Sequence, residues 1–88
     1  MDDGFDKLRE LLKDQTYPSP YLFKFIVKSD FEFMIGLKNC FEETAEFEKH
    51  PSKNGNWISL SIKQMMLSTE DIINRYKQVQ KFDNVIAL

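Results

Sequence analysis

The 88 residues hold one cysteine, one histidine and three glycines, which is little of the residue types on which most recognisable site chemistry depends. The lone Cys40 has no second thiol for a disulfide or a thiolate metal site, so the chain is expected in a reducing compartment. At the end of an apolar helical stripe it reads as a small buried hydrophobe. His50 has no ligand partner at metal-binding spacing and reads as a solvated side chain. Glu42, Glu43, Glu46 and Glu48 lack the alternating oxygen ligands and central glycine of a hard-cation loop, so they read as a charged strand edge. No metal and no cofactor is expected. Gly55 lies in a hairpin and no run of glycines cradles phosphate, which excludes the familiar nucleotide loops. Ser59 and Ser61 have no general base besides His50, so no nucleophile triad assembles and the chain is not expected to be an enzyme.

Long apolar runs are missing too. Nothing approaches the roughly 20 residues that span a bilayer, and the acidic start Met1-Asp2-Asp3-Gly4 is unlike a basic secretion signal, so a cytoplasmic protein with no membrane partner is expected. Excess positive charge is absent as well. Twelve basic and fourteen acidic residues give a net charge of −2, against the counterion-releasing surplus of a dedicated nucleic-acid binder.

What is present is ordinary globular material, 42% hydrophobic and 30% charged, with eight phenylalanines to fill a compact core. Its clearest signal is Asn56 to Met66, where Ile58, Leu60 and Ile62 alternate with Trp57, Ser59, Ser61 and Lys63 as in a half-buried strand in mid-sheet. Asn54-Gly55 just before it predicts a two-residue type I′ turn. That turn sets Phe47 opposite Ile62, Glu46 opposite Lys63 and Glu48 opposite Ser61, so apolar meets apolar and acid meets base.

Residues 5–13 place Phe5, Leu8, Leu11 and Leu12 at helical spacing, with Asp2 or Asp3 as cap. Pro18 and Pro20 then hold the chain extended into a strand over Tyr21 to Lys28, with Phe23, Phe25 and Val27 inward and Lys24, Ile26 and Lys28 outward. Ser29 or Asp30 caps a helix whose stripe is Phe31, Met34, Ile35, Leu37, Lys38 and Phe41. Glu43 to His50, ending at Pro51, is a weakly apolar, charged edge strand with Ala45 and Phe47 inward. Ser68-Thr69-Glu70-Asp71 opens a second helix with Ile72, Ile73, Tyr76 and Val79 inward and Arg75, Lys77 and Lys81 facing water. Phe82-Asp83-Asn84 turns into a short strand over Val85 to Leu88.

After an N-terminal amphipathic helix and linker (1–16), residues 17–88 thus run strand, helix, strand, strand, helix, strand. With right-handed crossovers this predicts an α+β ferredoxin-like βαββαβ sandwich, a four-stranded antiparallel sheet of order 4-1-3-2 with two helices on one face. The other face stays open unless a partner or the leading helix covers it.

Three stretches also carry a family resemblance. Tyr17-Pro18-Ser19-Pro20-Tyr21-Leu22-Phe23-Lys24 resembles "FP-x-x-F-x-(I/Y)-K" leading into the first strand. Ser52-Lys53-Asn54-Gly55-Asn56-Trp57-Ile58-Ser59-Leu60 is similar to an "SSKGNY-x-S-(V/L)" hairpin, and Phe82 to Leu88 to a closing "x-x-V-x-x-(V/A)-L". These are marks of the YbeD-like family of small bacterial proteins of unknown function, in order over roughly residues 17 to 88. The resemblance implies a fold like the regulatory ACT domains, a stand-alone bacterial cytosolic protein and no known catalytic residue; some members are associated with lipoate metabolism. The chain departs from the pattern in one extra hairpin residue, Lys53-Asn54-Gly55 for Lys-Gly, and in Trp57 for the usual Tyr.

Two functional expectations follow. The first is a non-catalytic regulatory or adaptor domain that contacts a second copy or a partner enzyme through Lys24, Ile26, Lys28, Trp57, Ser59, Ser61 and Lys63 on the open face, with Glu46 and Glu48 beside them. The second is a sensor of a small molecule, an amino acid or a lipoate-related metabolite, held at a dimer edge or near the hairpin around Ser52, Lys53 and Gly55. Single-stranded nucleic acid on the same face is disfavoured, since one ring and interspersed acids make a poor stacking platform.

Overall fold

The computed structural model describes residues 3–83 and 85–88. Asp2, one of the two expected caps, and Asn84 of the expected closing turn lie outside these residues. Along the chain come helix α1 (Asp6–Leu12), strand β1 (Ser19–Lys28), helix α2 (Phe31–Lys38), strands β2 (Glu46–Pro51) and β3 (Trp57–Met66), helix α3 (Thr69–Val79) and strand β4 (Val85–Ala87). The strands form one antiparallel sheet in the order β2-β3-β1-β4; counted from the β4 edge the same neighbours read 4-1-3-2. Its spine is the β1–β3 ladder, paired from Ser19 opposite Met66 to Lys28 opposite Trp57.

Period-2 alternation puts Phe23, Phe25 and Val27 of β1 and Leu60, Ile62 and Met66 of β3 on one face, all fully buried. Onto them pack Ile72 and Val79 of α3 and Met34 and Leu37 of α2, with Phe41 from the loop that follows α2, and Ile73 of α3 is buried as well. Rings knit this layer together: Phe23 lies 5.1 Å from Phe41 and 5.2 Å from Tyr76 between centroids. Ser68 caps α3 by accepting the Asp71 N–H, and Asp30 caps α2 by accepting the Phe33 N–H, as their sequence positions require.

The inward stripe of α2 differs from the expected one. Phe31 is 79% exposed and Ile35 45% exposed, while Phe33 turns inward with its ring 5.5 Å from that of Phe82. The sequence Phe31-Glu32-Phe33-Met34-Ile35-Gly36-Leu37 is apolar nearly all round, so its periodicity does not fix which side faces the sheet. Packing decides it: a Cβ at Gly36 would stand 3.1 Å from the Phe82 ring, so the bare glycine lets that ring close over the helix. The helix also ends sooner than expected, at Lys38, where the Cys40 and Phe41 N–H groups tighten onto the Leu37 and Lys38 carbonyls.

Two polar side chains tie loops to this core. Arg75 does not face water; its guanidinium donates to the Cys40 carbonyl and lies near Glu42 and Asp71, so α3 ties down the end of α2. Gln64 is buried on the covered face, where its Oε1 accepts the Glu42 N–H at 2.8 Å and its Nε2 donates to Met66 Sδ at 3.3 Å. The amide thereby holds the loop between α2 and β2 against the sheet.

Helix α1 buries none of its residues completely, and Leu11, expected inward, is 77% exposed. Leu8 and Leu12 rest against the core, and the Phe5 ring sits 6.2 Å from that of Tyr76. Asp3 accepts the Phe5 N–H just ahead of the helix rather than an amide inside its first turn, so it does not cap α1. Its carboxylate instead meets Arg9 and Lys77, each at 2.8 Å, and Arg9 also reaches Asp6 and Glu70. Arg9 and Lys77 hold the Asp3 carboxyl far below its usual range, and Arg9 lowers that of Glu70. These ties dock α1 beside α3, on the covered side of the sheet.

Candidate functional site: the open sheet face

Because α1 joins the helical layer, the opposite face of the sheet has, among the described residues, no helix upon it. The ladders fix its rows. Near one end Trp57 pairs with Lys28. Next come His50, Ser59, Ile26 and Ile86 in register across all four strands. The middle row is Glu48, Ser61 and Lys24, extended by Leu88, whose N–H donates to the Lys24 carbonyl at 2.9 Å. Glu46, Lys63 and Leu22 follow, then Met65 beside Pro20. The expected face residues Lys24, Ile26, Lys28, Trp57, Ser59, Ser61 and Lys63 are therefore brought together, with Glu46 and Glu48 on the strand beside them. The expected cross-strand partners Phe47–Ile62, Glu46–Lys63 and Glu48–Ser61 are those observed.

Sequence reasoning missed most of the apolar content of this face. Of nine large apolar side chains that stand exposed among the described residues, Leu22, Trp57, Met65, Ile86 and Leu88 occupy its positions. Period-2 parity applied to Leu22, Met65 and Ile86 would have found them. Trp57 itself is 39% exposed, so part of its ring lies against the sheet. Between the aliphatics a shallow depression of about 310 Å³ opens, lined by Leu22, Glu46, Phe47, Glu48, Ser61 and Lys63. His50 Nε2 lies 3.2 Å from Glu48 Oε1, an exposed pair that is ionic only when the imidazole is protonated.

The hairpin residues Ser52, Lys53 and Gly55 sit beyond the Trp57 end, and their turn differs from the expected one. The Gly55 N–H donates to the Ser52 carbonyl, so Lys53 and Asn54 are the central residues, and Gly55 follows at φ +74°. Ser52 Oγ accepts the Trp57 N–H at 3.2 Å, and Asn54 Oδ1 accepts the Asn56 N–H at 3.2 Å. These side-chain acceptors stabilise a wider loop that returns the strands in the same register. With the Ser52 N–H given to the Trp57 carbonyl, the donors of Ser52, Gly55, Asn56 and Trp57 are all used within the loop. They are not free to converge on a carboxylate.

Elsewhere the polar chemistry is structural. Burial raises the Cys40 thiol, and burial together with the 2.9 Å hydrogen bond to Tyr21 raises the Tyr76 hydroxyl. Tyr17 OH pairs with Thr69 Oγ1 at 2.9 Å in the same seam. Among the described residues, no group of three or more His, Cys, Asp or Glu side chains is placed to hold a metal ion. Nor is any helix long and apolar enough to cross a membrane.

Fold and surface together define a small α+β domain with one helix-covered and one uncovered sheet face. The chain belongs to the family described as protein of unknown function DUF493, whose model matches residues 13–88. That match begins one residue past α1 and takes in the whole sheet. No curated protein and no solved structure matches the chain.

Proposed function

We propose that this chain is a non-catalytic regulatory or adaptor domain that works by protein contact through its open sheet face. The observation that carries the reading is the concentration of exposed aliphatic and aromatic side chains on that face, interleaved with Lys24, Lys28 and Lys63. An apolar centre with charged neighbours is the composition of a recognition surface. The βαββαβ order supports a ferredoxin-like, ACT-like sandwich, a topology that leaves one face available, and the YbeD-like motifs support a bacterial, cytoplasmic setting. Nucleic acid is disfavoured by Glu46 and Glu48 beside the lysines and by Trp57 being the sole Phe, Tyr or Trp of the rows described above.

The test is photo-crosslinking in the cell of origin from a reactive residue placed at Trp57, with the same residue at the off-face position Leu11 as control. Discrete protein adducts from position 57, absent from position 11, are expected. An equal smear from both positions, or no adduct from 57, overturns the reading.

A second reading rests on the 310 Å³ depression, whose rim sets Lys63 beside Glu46 and Glu48. That pairing offers opposite charges to the carboxylate and ammonium of a free amino acid. A thermal-shift screen of amino acids, with lipoate and nucleotides as comparison compounds, checks it; a flat screen removes it.

A further inference from the structure

We infer that the partner of the open face is a second copy of this chain, stacked sheet on sheet about a two-fold axis that runs along the strands between β1 and β3. The inference rests on the protein-contact reading above and names its partner.

The first argument is charge placement. On the β2–β3 half of the face, the rows carry Glu46 and Glu48 with Lys63 as the one lysine; the β1–β4 half carries Lys24 and Lys28 and, among the described residues, no acidic side chain. A two-fold axis between β3 and β1 lays each half over the other half of its partner, so the acidic strand of one copy covers the side of the other that bears only lysines. An axis across the strands would instead set β2 over β2 and acid over acid. Charge complementarity thus selects one axis of the two.

The second argument is the row register. Under this axis every residue stays in its own row and changes column. Glu48 and Lys24 share the middle row, so Glu48 of each copy comes down over Leu88 beside the partner's Lys24. The β1–β3 pairs become contacts between copies: Ser59 over Ile26, Lys63 over Leu22 and Trp57 over Lys28. The last couples an indole face with an ammonium. Strands remain aligned between the two sheets, and the crossing of about 30° usual for such sandwiches displaces the ends more than the middle row.

The third argument is area. Strands β1 and β3 are about 33 Å long, six-residue β2 about 20 Å and three-residue β4 about 10 Å, so at a spacing of about 4.8 Å the face projects to roughly 460 Å², and the accessible surface of a side-chain-covered face exceeds its projection. That is smaller than the roughly 800 Å² per partner of standard-size interfaces and fits a reversible contact, so the dimer is expected to dissociate on dilution. Leu88 in the middle row, with Ile26, Ile86 and Leu22 in the rows flanking it, supplies its apolar centre.

The test uses light scattering on the purified full chain with Lys24→Glu and Glu48→Lys, both exposed and both off the core. The wild type is expected at twice the 10.4 kDa chain mass. Each variant alone sets like charges against each other and should raise the dissociation constant at least about tenfold. An equimolar mixture of the two variants restores unlike charges at both symmetric contacts and should return the dimer. Unchanged melting temperatures of the separated chains exclude misfolding. A wild type at 10.4 kDa throughout, single variants that stay dimeric, or a mixture that fails to recombine overturns the inference. A wild-type monomer joined to discrete adducts with other proteins in the crosslinking experiment would overturn the self-association alone, whereas absence of any position-57 adduct would overturn the protein-contact reading.

Discussion

The two faces of the sheet come from the same four strands, yet they are composed in opposite ways. On the covered face, inward positions of β1 and β3 are filled by Phe23, Phe25, Val27, Leu60, Ile62 and Met66, all at zero exposure, with Gln64 the one polar side chain buried among them. On the open face the intervening positions mix aliphatics, serines and lysines, and Leu22 is 49% and Met65 57% exposed. A strand that alternates Leu60, Ile62 and Met66 with Ser59, Ser61 and Lys63 is built to be dry on one side and wet on the other. The aliphatics that remain on the wet side are exposed rather than part of the core, and the proposed contact function rests on them. Fold stability and partner contact should therefore be separable by face.

The largest expected effect is on the covered side. Phe23→Ala removes a ring in contact with Tyr21, Phe41 and Tyr76 and should cost about 3–5 kcal/mol in urea unfolding. A cost below about 1 kcal/mol would mean that the covered face is not the packed one.

Next in size is the buried amide. Gln64→Met keeps the volume but leaves the Glu42 N–H without its acceptor, so about 1–3 kcal/mol should be lost, with faster hydrogen exchange at Glu42. Unchanged exchange there would show that the loop does not depend on Gln64.

Smaller still is the attachment of α1. Asp3 and Glu70 both titrate below their ordinary range in the folded chain, so their contribution is complete above the unfolded carboxylate values and is lost as pH falls beneath them. Between neutral pH and about pH 3, α1 amides should lose exchange protection before those of β1 and β3. Added salt should act in the same direction, because the pairs are exposed. Simultaneous loss in helix and sheet would contradict a separate attachment.

Much of this division was legible in the sequence where local rules coincide. The β2–β3 register follows from alternation meeting a tight turn, and it survived an error in the turn itself, since Ser52 Oγ and Asn54 Oδ1 stabilise a wider loop of the same register. Helix α3 was legible because its polar and apolar sides are sharply separated; α2 was not, because Phe31, Phe33 and Ile35 are equally apolar and only contact with Phe82 chooses among them. The docking of α1 on α3 depends on Arg9 meeting Glu70, 61 residues away, which no local pattern records. Gln64 was foreseeable from parity, as a polar residue at an inward position of β3. On the open face the lysines, serines and Trp57 were legible as outward positions; the row that joins Ile26 to Ile86 emerged only with the β1–β4 ladder.

The most direct check on the separation of the faces is the urea midpoint of wild type and Ile26→Lys followed over a dilution series. Ile26 belongs to the open face, in a row with Ser59 and Ile86, and its replacement leaves the covered face intact. Because a dimer is stabilised by mass action, the wild-type midpoint should fall on dilution. That of Ile26→Lys should stay constant and agree, within about 0.5 kcal/mol, with the dilute wild type. A wild-type midpoint independent of concentration, or an Ile26→Lys midpoint that moves in parallel with it, would contradict the assignment of this face to contact between copies.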